Sequence, residues 1–244
     1  MLAKLLAPVG VLVCGVILYD AVVIAVALYR GSSLAEASEV FEQNPVRPKT
    51  NLLVVGDSTA VGTGATTPIL SVAGRLGTDL PRLRVSNLGE DGAVTADVVS
   101  QLRQVKGQKF GAILIQTGGN DVLQFTGADA LRQHLDTLLE LSVQHSDHVF
   151  VMSVGDVGRA PAVPWPLSIL LSRRAQIVRG EVQELSEKYG ASFIDFDAAS
   201  QLFVKDPDKF YASDGLHPSD EGYAQWYGQL REQSKIGQVL TSPP

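Results

Sequence analysis

From Thr50 onward, short apolar runs alternate with segments of helical periodicity, and this alternation constrains the fold more than any other feature of the chain. The apolar runs are rich in Val, Ile and Phe, as expected of parallel strands that are buried on both faces. We therefore predict an α/β domain in which helices cover both faces of a doubly wound parallel sheet, giving three layers. The predicted strands are residues 51–55, 83–87, 112–117, 148–154 and 192–196, and the main predicted helices are residues 95–105, 128–145 and 168–189.

Polar, glycine-rich turns follow the first three predicted strands. Residues 56–58 are Gly-Asp-Ser, residues 87–92 are Asn-Leu-Gly-Glu-Asp-Gly, and residues 118–121 are Gly-Gly-Asn-Asp. The carboxyl ends of parallel strands meet at one edge of a sheet, and open α/β sheets bind their ligands there. A fourth polar segment, Asp-Gly-Leu-His at residues 214–217, lies far downstream. We expect these four segments to form one site.

Ser58, Asp214 and His217 together indicate nucleophilic hydrolysis. A serine hydroxyl is a weak nucleophile at neutral pH, so it needs an imidazole to accept its proton and a carboxylate to fix the imidazole tautomer. Ester hydrolysis also passes through a tetrahedral oxyanion, which needs hydrogen-bond donors held in place beforehand. A glycine N–H and an asparagine amide supply such donors without adding charge.

The order and spacing of the four segments closely resemble those of the SGNH (GDSL-type) hydrolases, a family of esterases and lipases, over about residues 50–233. Thr59 stands where the commonest form of the first motif has Leu, and Glu90 and Asp91 place two acids in the second segment. The resemblance implies a flavodoxin-like three-layer fold, no cofactor, and hydrolysis of carboxylic esters or thioesters through an acyl-enzyme.

The resemblance also implies a role for each motif residue. Ser58 would be the nucleophile, His217 the general base and Asp214 the carboxylate that orients it. The oxyanion hole would take its donors from Ser58, Gly89 and Asn120.

Composition and charge argue against several other classes of function. The net charge is −6 at pH 7 and the basic residues are scattered, so we expect no nucleic-acid partner. Residues 56–64 are glycine-rich but lack the Lys-Ser/Thr pair of a phosphate-binding loop. His134, His145 and His148 show no metal-ligand spacing with carboxylates or thiols, so we predict no metal site.

Residues 5–29 form an almost uninterrupted apolar stretch between a lysine and an arginine, longer than the roughly 20 residues that span a bilayer. Asp20 opposes insertion by roughly 2.5–3.5 kcal/mol, which the many Leu, Ile and Val side chains offset. We predict a transmembrane anchor in residues 1–30, with the catalytic domain outside the cytoplasm, which would be the periplasm if the source is bacterial. The alternative is a cleaved signal peptide with an Ala-x-Ala site at residues 25–27.

Three further segments complete the predicted organisation. Residues 31–49 contain two prolines and are interpreted as a linker. Residues 50–236 form one esterase domain, and residues 237–244 form a loose C-terminal tail.

Residues 160–174 combine three prolines with an apolar cluster and follow the fourth predicted strand, at the edge expected to carry the site. Two interpretations remain open. The segment packs internally, or it forms a hydrophobic lip for acyl chains or for the membrane surface. In the second interpretation Trp165 and Leu167 contact the substrate.

We therefore predict a membrane-anchored serine esterase or lipase that acts on small-molecule or lipid esters. A carbohydrate O-deacetylase of the same mechanism is the nearest alternative. A non-catalytic binding module and a flavodoxin-like nucleotide binder are the alternatives from other classes. Acyl length, alcohol group and oligomeric state remain open.

Overall fold

The computed structural model of the protein describes residues 2–152 and 154–241, with all their side chains except those of residues 2–14, 197 and 198. Within these residues the chain forms a sheet of five parallel strands in the order β2-β1-β3-β4-β5. Each strand matches a predicted one to within two residues at either end. The strands are β1 Thr50–Gly56, β2 Leu83–Asn87, β3 Ala112–Gln116, β4 Val149–Met152 and β5 Ser192–Ile194.

Helices surround this sheet. In chain order they are α1 Leu2–Ala37, α2 Ser58–Val61, α3 Val72–Asp79, α4 Thr95–Gln104, α5 Gly119–Leu123, α6 Ala128–His145, α7 Leu167–Tyr189, α8 Asp197–Lys205, α9 Pro207–Phe210, α10 Asp220–Gln233 and α11 Ile236–Thr241. Short 3-10 turns lie at Pro68–Leu70 and Val157–Arg159.

Alternate side chains of β1, β3 and β4 enter two separate cores. In β1, Leu53 and Val55 join the core formed with α4, α6 and α7, whereas Leu52 and Val54 join the core formed with α3, α10 and α11. All four of these side chains are fully buried. The prediction of a three-layer, doubly wound α/β fold is therefore confirmed.

The strand order reverses at β1, which pairs with β2 on one side and with β3 on the other. The helices that follow β1 and β3 consequently cover opposite faces of the sheet, and a crevice opens at the carboxyl ends of these two strands. This crevice is where the sequence places its polar turns.

The N-terminal helix α1 is long and apolar enough over Gly15–Ala37 to cross a membrane. It extends seven residues beyond Arg30, into the segment predicted to be a linker. No proline lies between Arg30 and Pro45, so the sequence carries no proline that would end the helix at Arg30. Beyond the helix, Gln43 forms an antiparallel bridge with Val85 and therefore runs beside β2.

The C-terminal segment corrects a second boundary. Residues predicted to be a loose tail form most of α11, and Ile236 and Leu240 are buried in the core beneath β1 and β3. Their spacing of four residues places both side chains on one helical face, which explains why so short a helix docks on the sheet.

Candidate active site

A sharp turn at the end of β1 presents Ser58 to the crevice. Gly56 has φ of +152°, and a Cβ atom there would lie 2.0 Å from the backbone oxygen of Gln116 on β3, so no larger residue fits. Asp57 then caps α2 by accepting a hydrogen bond from the Thr59 N–H at 2.9 Å. Ser58 is consequently the first residue of α2 and lines the cavity beside it.

Ser58, His217 and Asp214 form a continuous chain of hydrogen bonds. His217 Nε2 lies 2.9 Å from Ser58 Oγ, and His217 Nδ1 lies 2.5 Å from Asp214 Oδ2. An antiparallel bridge between Tyr211 and Pro218 closes the loop that carries Asp214 and His217. The structure therefore brings together all three residues that the sequence predicts for nucleophilic hydrolysis.

The environment of Asp214 determines the tautomer of the imidazole. Burial alone would raise the pKa of Asp214, but hydrogen bonds from the His217 side chain and from the N–H groups of Leu216 and His217 lower it below its usual value. The carboxylate is therefore ionised at neutral pH and only accepts hydrogen bonds. The proton of the neutral imidazole consequently sits on Nδ1, and Nε2 is left to accept the hydroxyl proton of Ser58.

A second carboxylate, Asp57, lies beside the serine in a different environment. Burial raises the pKa of Asp57 to about 6, against the lowering effect of its hydrogen bonds from Thr59. Its side chain is 3% exposed and serves as the cap of α2. The two carboxylates therefore have different roles. Asp57 shapes the turn that presents Ser58, and Asp214 orients His217.

The two glycines of the turn after β2 occupy different places. Gly89 donates its N–H to Asn87 Oδ1 at 2.9 Å, and a Cβ atom on Gly89 would lie 2.9 Å from Ala60 and Val61 of α2. The structure thus contradicts the position predicted for Gly89, because the Asn87 side chain takes its N–H and α2 covers it. Gly92 instead lines the cavity with φ of +78°, and its N–H donates no hydrogen bond within the described residues.

Asn120 lies in the first turn of α5, two residues after the left-handed Gly118. Its Nδ2 donates to the backbone oxygen of Ala93 at 3.0 Å, which ties the turn after β3 to the turn after β2. An amide nitrogen carries two N–H groups, so this bond leaves the second one available. Asn120 also lines the cavity beside Ser58.

The cavity at Ser58 has a volume of about 640 Å³ and becomes apolar away from the hydrogen-bonded residues. Leu167, at the start of α7, lines it as the lip interpretation predicts, whereas Trp165 is 67% exposed and lies outside the lining. Of these two residues, only Leu167 therefore reaches the cavity. Other apolar lining residues include Leu123, Val157, Val163, Leu171, Phe203 and Trp226.

The charged groups around the cavity are mostly acidic. Asp91 accepts a hydrogen bond from Thr63 at 2.6 Å, and Asp156 is paired with Arg159 at 3.1 Å. Arg159 is the one lysine or arginine among the described residues that line the cavity. Within residues 2–152 and 154–241, no group of three or more histidine, cysteine, aspartate or glutamate side chains is arranged to hold a metal ion.

The C-terminal half of α1 also lines the cavity, which was not predicted. Arg30 donates a hydrogen bond to the backbone oxygen of Ser213 at 2.9 Å, fastening the helix to the loop that carries Asp214. Its lining residues include Ala27, Gly31 and Ala35, which are four residues apart. This spacing of small residues is visible in the sequence and permits close approach along one helical face.

Comparison with known sequences places these residues in a wider group. A family model described as the GDSL-like lipase/acylhydrolase family matches residues 54–225. A curated protein of Mycobacterium tuberculosis, described as a GDSL-like esterase, is 26% identical over 182 residues, which are 71% of this chain and 58% of that protein. The chain thus spans less than two thirds of the length of this relative.

Solved structures give a consistent result. A lipase/acylhydrolase from Enterococcus faecalis is 25% identical with a TM-score of 0.60, over 78% of this chain and 96% of that one. An acetylxylan esterase from Geobacillus stearothermophilus is 22% identical with a TM-score of 0.56, over 78% of this chain and 96% of that one. The second likeness establishes a shared fold alone.

Proposed function

We propose that this chain, which belongs to the GDSL-like lipase/acylhydrolase family, is an ester-hydrolysing enzyme that cleaves carboxylic esters, or thioesters, through an acyl-enzyme on Ser58. The observation that carries this proposal is the 2.9 Å separation of Ser58 Oγ and His217 Nε2, with Asp214 bonded to the other imidazole nitrogen. The base is thus within hydrogen-bond distance of both the nucleophile and the orienting carboxylate.

In the first half of the reaction, Ser58 Oγ attacks the ester carbonyl while His217 Nε2 takes the hydroxyl proton. Asp214, ionised at neutral pH, stabilises the imidazolium that forms. His217 then gives the proton to the leaving alcohol as the bond between the carbonyl carbon and the alkoxy oxygen breaks. The products are a free alcohol and an acyl group esterified to Ser58.

In the second half, water replaces the alcohol and His217 accepts a proton from it. The resulting hydroxide attacks the acyl carbonyl, and the bond to Ser58 Oγ breaks as the proton returns to that oxygen. A free carboxylic acid leaves, and the enzyme regains its starting protonation state.

The negative charge on the carbonyl oxygen needs donors in both halves. We assign them to the N–H groups of Ser58 and Gly92 and to the Asn120 side chain, replacing Gly89 by Gly92. The support for Gly92 is its place in the cavity lining and its unbonded N–H within the described residues. Each such donor is typically worth about 10²–10³ in rate.

The cavity favours an uncharged ester with an apolar acyl group. Most of its lining beyond Ser58 is aliphatic or aromatic, and its one lysine or arginine among the described lining residues is already paired with Asp156. An anionic substrate would meet Asp91 and Asp156 without a free cation to offset them. A carbohydrate O-deacetylase would use the same chemistry on an acetyl group, which is much smaller than this apolar cavity. The cavity therefore favours a longer acyl group.

Labelling with a fluorophosphonate probe tests the mechanism directly. The parent protein should be labelled and should hydrolyse p-nitrophenyl esters, whereas Ser58→Ala should do neither because it lacks the nucleophile. Ser100→Ala, which removes an exposed hydroxyl on α4, is the matched control and should behave as the parent. Turnover by the Ser58 variant near the parent level would refute the acyl-enzyme, and better turnover of acetylated xylan than of any p-nitrophenyl ester would favour the deacetylase.

We also propose that α1 is retained as a membrane anchor and that residues 50–241 form the enzymatic domain outside the cytoplasm. The length and apolar character of Gly15–Ala37 support the anchor. Mass analysis of the purified full-length protein decides this, because a mature N-terminus near Leu28 would instead indicate a cleaved signal peptide.

A further inference from the structure

We infer that the C-terminal end of α1 forms one wall of the acyl-binding part of the cavity, so that the enzyme takes the acyl chain of a lipid ester directly from the bilayer. The inference rests on the proposed esterase function and on α1 as a retained anchor. It adds the class of substrate, namely carboxylic esters held in a membrane rather than dissolved in water.

The residues of α1 that line the cavity lie on one helical face. Ile24, Ala27, Gly31 and Ala35 follow each other at steps of three or four residues, and all four line the same cavity as Ser58. Three of the four have the smallest side chains, which leaves space between the helix and the opposite wall. The helix therefore contributes surface to the cavity without filling it.

A hydrogen bond holds this part of α1 beside the catalytic loop, and the backbone of Gly31 lies close to the same loop. Arg30 donates to the backbone oxygen of Ser213 at 2.9 Å. A Cβ atom at Gly31 would lie 3.5 Å from Asp214 Oδ2, an ordinary van der Waals distance. This part of α1 thus lies next to Asp214, the carboxylate that orients His217. Because His217 is bonded to Ser58, the same contacts also fix the position of the helix relative to the nucleophile.

The same face continues into the part of the helix that we place in the membrane. Tyr29 is 77% exposed and precedes Arg30, and an aromatic residue next to a basic one is typical of the membrane-water interface. Ile24 lies six residues before Arg30, about 9 Å along the helix axis towards the apolar layer. Leu28 is 69% exposed and also lines the cavity, so it belongs both to the lipid-facing surface and to the cavity mouth.

Other elements that line the cavity also carry exposed apolar side chains. Phe125 lines the cavity and is 47% exposed, and Ile169 and Leu170 are about half exposed beside the lining residue Leu167. Large apolar groups gathered around a mouth favour contact with another apolar phase. A bilayer surface satisfies them on the same side as the end of the membrane helix.

A tryptophan placed on the cavity-facing side of α1 tests the wall. The full-length protein is reconstituted in phosphatidylcholine nanodiscs, and kcat/KM is measured for p-nitrophenyl decanoate, which partitions into the bilayer, and for p-nitrophenyl acetate, which does not. Ala27→Trp places a large ring in the cavity and should lower the decanoate-to-acetate ratio about tenfold or more, as expected when about two methylene groups lose their binding surface. Ala25→Trp, the same substitution at an exposed position outside the lining, should change the ratio less than twofold.

The outcomes separate this inference from the proposed function. A parent protein that is neither labelled by the fluorophosphonate probe nor active on either ester contradicts the function itself. A second result is a labelled, active parent protein in which the two tryptophan substitutions change the decanoate-to-acetate ratio equally, or not at all. That result would refute the inference that α1 forms a wall of the cavity. A rise in decanoate activity in Ala27→Trp also overturns it, because α1 would then obstruct the cavity. If Ala27→Trp is not labelled, Ala27→Leu and Ala25→Leu provide the same comparison with a smaller side chain.

The route of the substrate is tested with vesicles. A phosphatidylcholine bearing a fluorogenic acyl ester is placed either in the bilayer that holds the protein or in separate, protein-free vesicles. Hydrolysis in the shared bilayer should be at least tenfold faster. Equal rates in the two arrangements would overturn entry from the bilayer.

Discussion

The two ends of the cavity are built in different ways. At the polar end, Ser58, His217 and Asp214 are joined by hydrogen bonds and held by capped turns and a closed loop. At the apolar end, side chains from α1, α5, α7, α8 and α10 meet around a volume of about 640 Å³ without polar contacts to fix them. The polar end thus depends on distances of tenths of an ångström, whereas the apolar end depends on volume and surface.

This difference predicts how each end responds to substitution. A hydrogen-bonded group acts on the transition state, so its removal should lower kcat strongly for every substrate. An apolar wall acts through the area that it buries, so its removal should discriminate between substrates and cost little for the shortest one. The predictions below test this division, from the largest expected effect to the smallest.

Asp214→Asn should have the largest effect. The amide can donate to His217 Nδ1 and stabilise the wrong tautomer, so turnover should fall by on the order of 10⁴ for acetate and decanoate esters alike. Steady-state kinetics with both esters measure this loss. Asp129→Asn removes an exposed carboxylate of α6 outside the cavity lining, and it is the matched control. A loss below tenfold in Asp214→Asn would mean that the polar end does not depend on its carboxylate.

Asn120→Ala should lower kcat by roughly 10²–10³ with a much smaller change in KM, because its free N–H acts most strongly on the transition state. The loss should again be similar for short and long acyl chains. Asn44→Ala removes an exposed amide outside the cavity and serves as the control. A reduction that grew with chain length would place Asn120 at the apolar end instead.

Asp57 should couple protein stability to pH. The pKa of Asp57 is raised from 3.8 to about 6 by burial, so the folded protein binds this proton more tightly than the unfolded chain. Stability should therefore fall as the pH rises from about 4 to about 6, by roughly 3 kcal/mol from this residue at about 1.36 kcal/mol per pKa unit. Asp57→Asn keeps a capping oxygen and removes the titration. Denaturant unfolding in detergent at pH 4 and pH 7 should show a smaller loss in this variant, and equal losses would contradict the assignment.

Leu167→Ser should have the smallest effect and the clearest dependence on substrate. It removes apolar surface from the cavity, so the kcat/KM ratio of decanoate to acetate esters should fall about tenfold, the equivalent of about two methylene groups. Trp165→Ser, two residues earlier and outside the lining, should leave this ratio unchanged in detergent solution. Equal effects of the two substitutions would assign the start of α7 to packing alone.

The sheet was predictable from the sequence because buried parallel strands are continuous apolar runs. β2 and α6 have the predicted bounds, and the other strands end within two residues of them. The position of Ser58 followed from the same pattern, because turns after parallel strands meet at one edge. Asp214 and His217 follow no strand, and their roles were predicted from the resemblance of their segment to a family motif.

The remaining features depend on contacts that no local pattern records. The choice between Gly89 and Gly92 depends on the Asn87 side chain, which bonds one of the two N–H groups. Whether Trp165 or Leu167 reaches the cavity depends on where the chain bends before α7. The packing of α1 against the loop at Ser213 joins segments that are 183 residues apart, and helical periodicity alone does not identify a partner at that distance.

The hydrogen bond between Ser58 and His217 joins positions 159 residues apart in the chain. At about 5–20 residues per second, a ribosome needs on the order of 8–30 s to add the histidine after the serine. Throughout that interval the hydroxyl has no base and stays inert towards the lipids and proteins around it. On the proposed mechanism, a truncated or half-synthesised chain would carry no esterase activity, and a fluorophosphonate probe should mark only molecules in which the loop of His217 has closed over the end of β1.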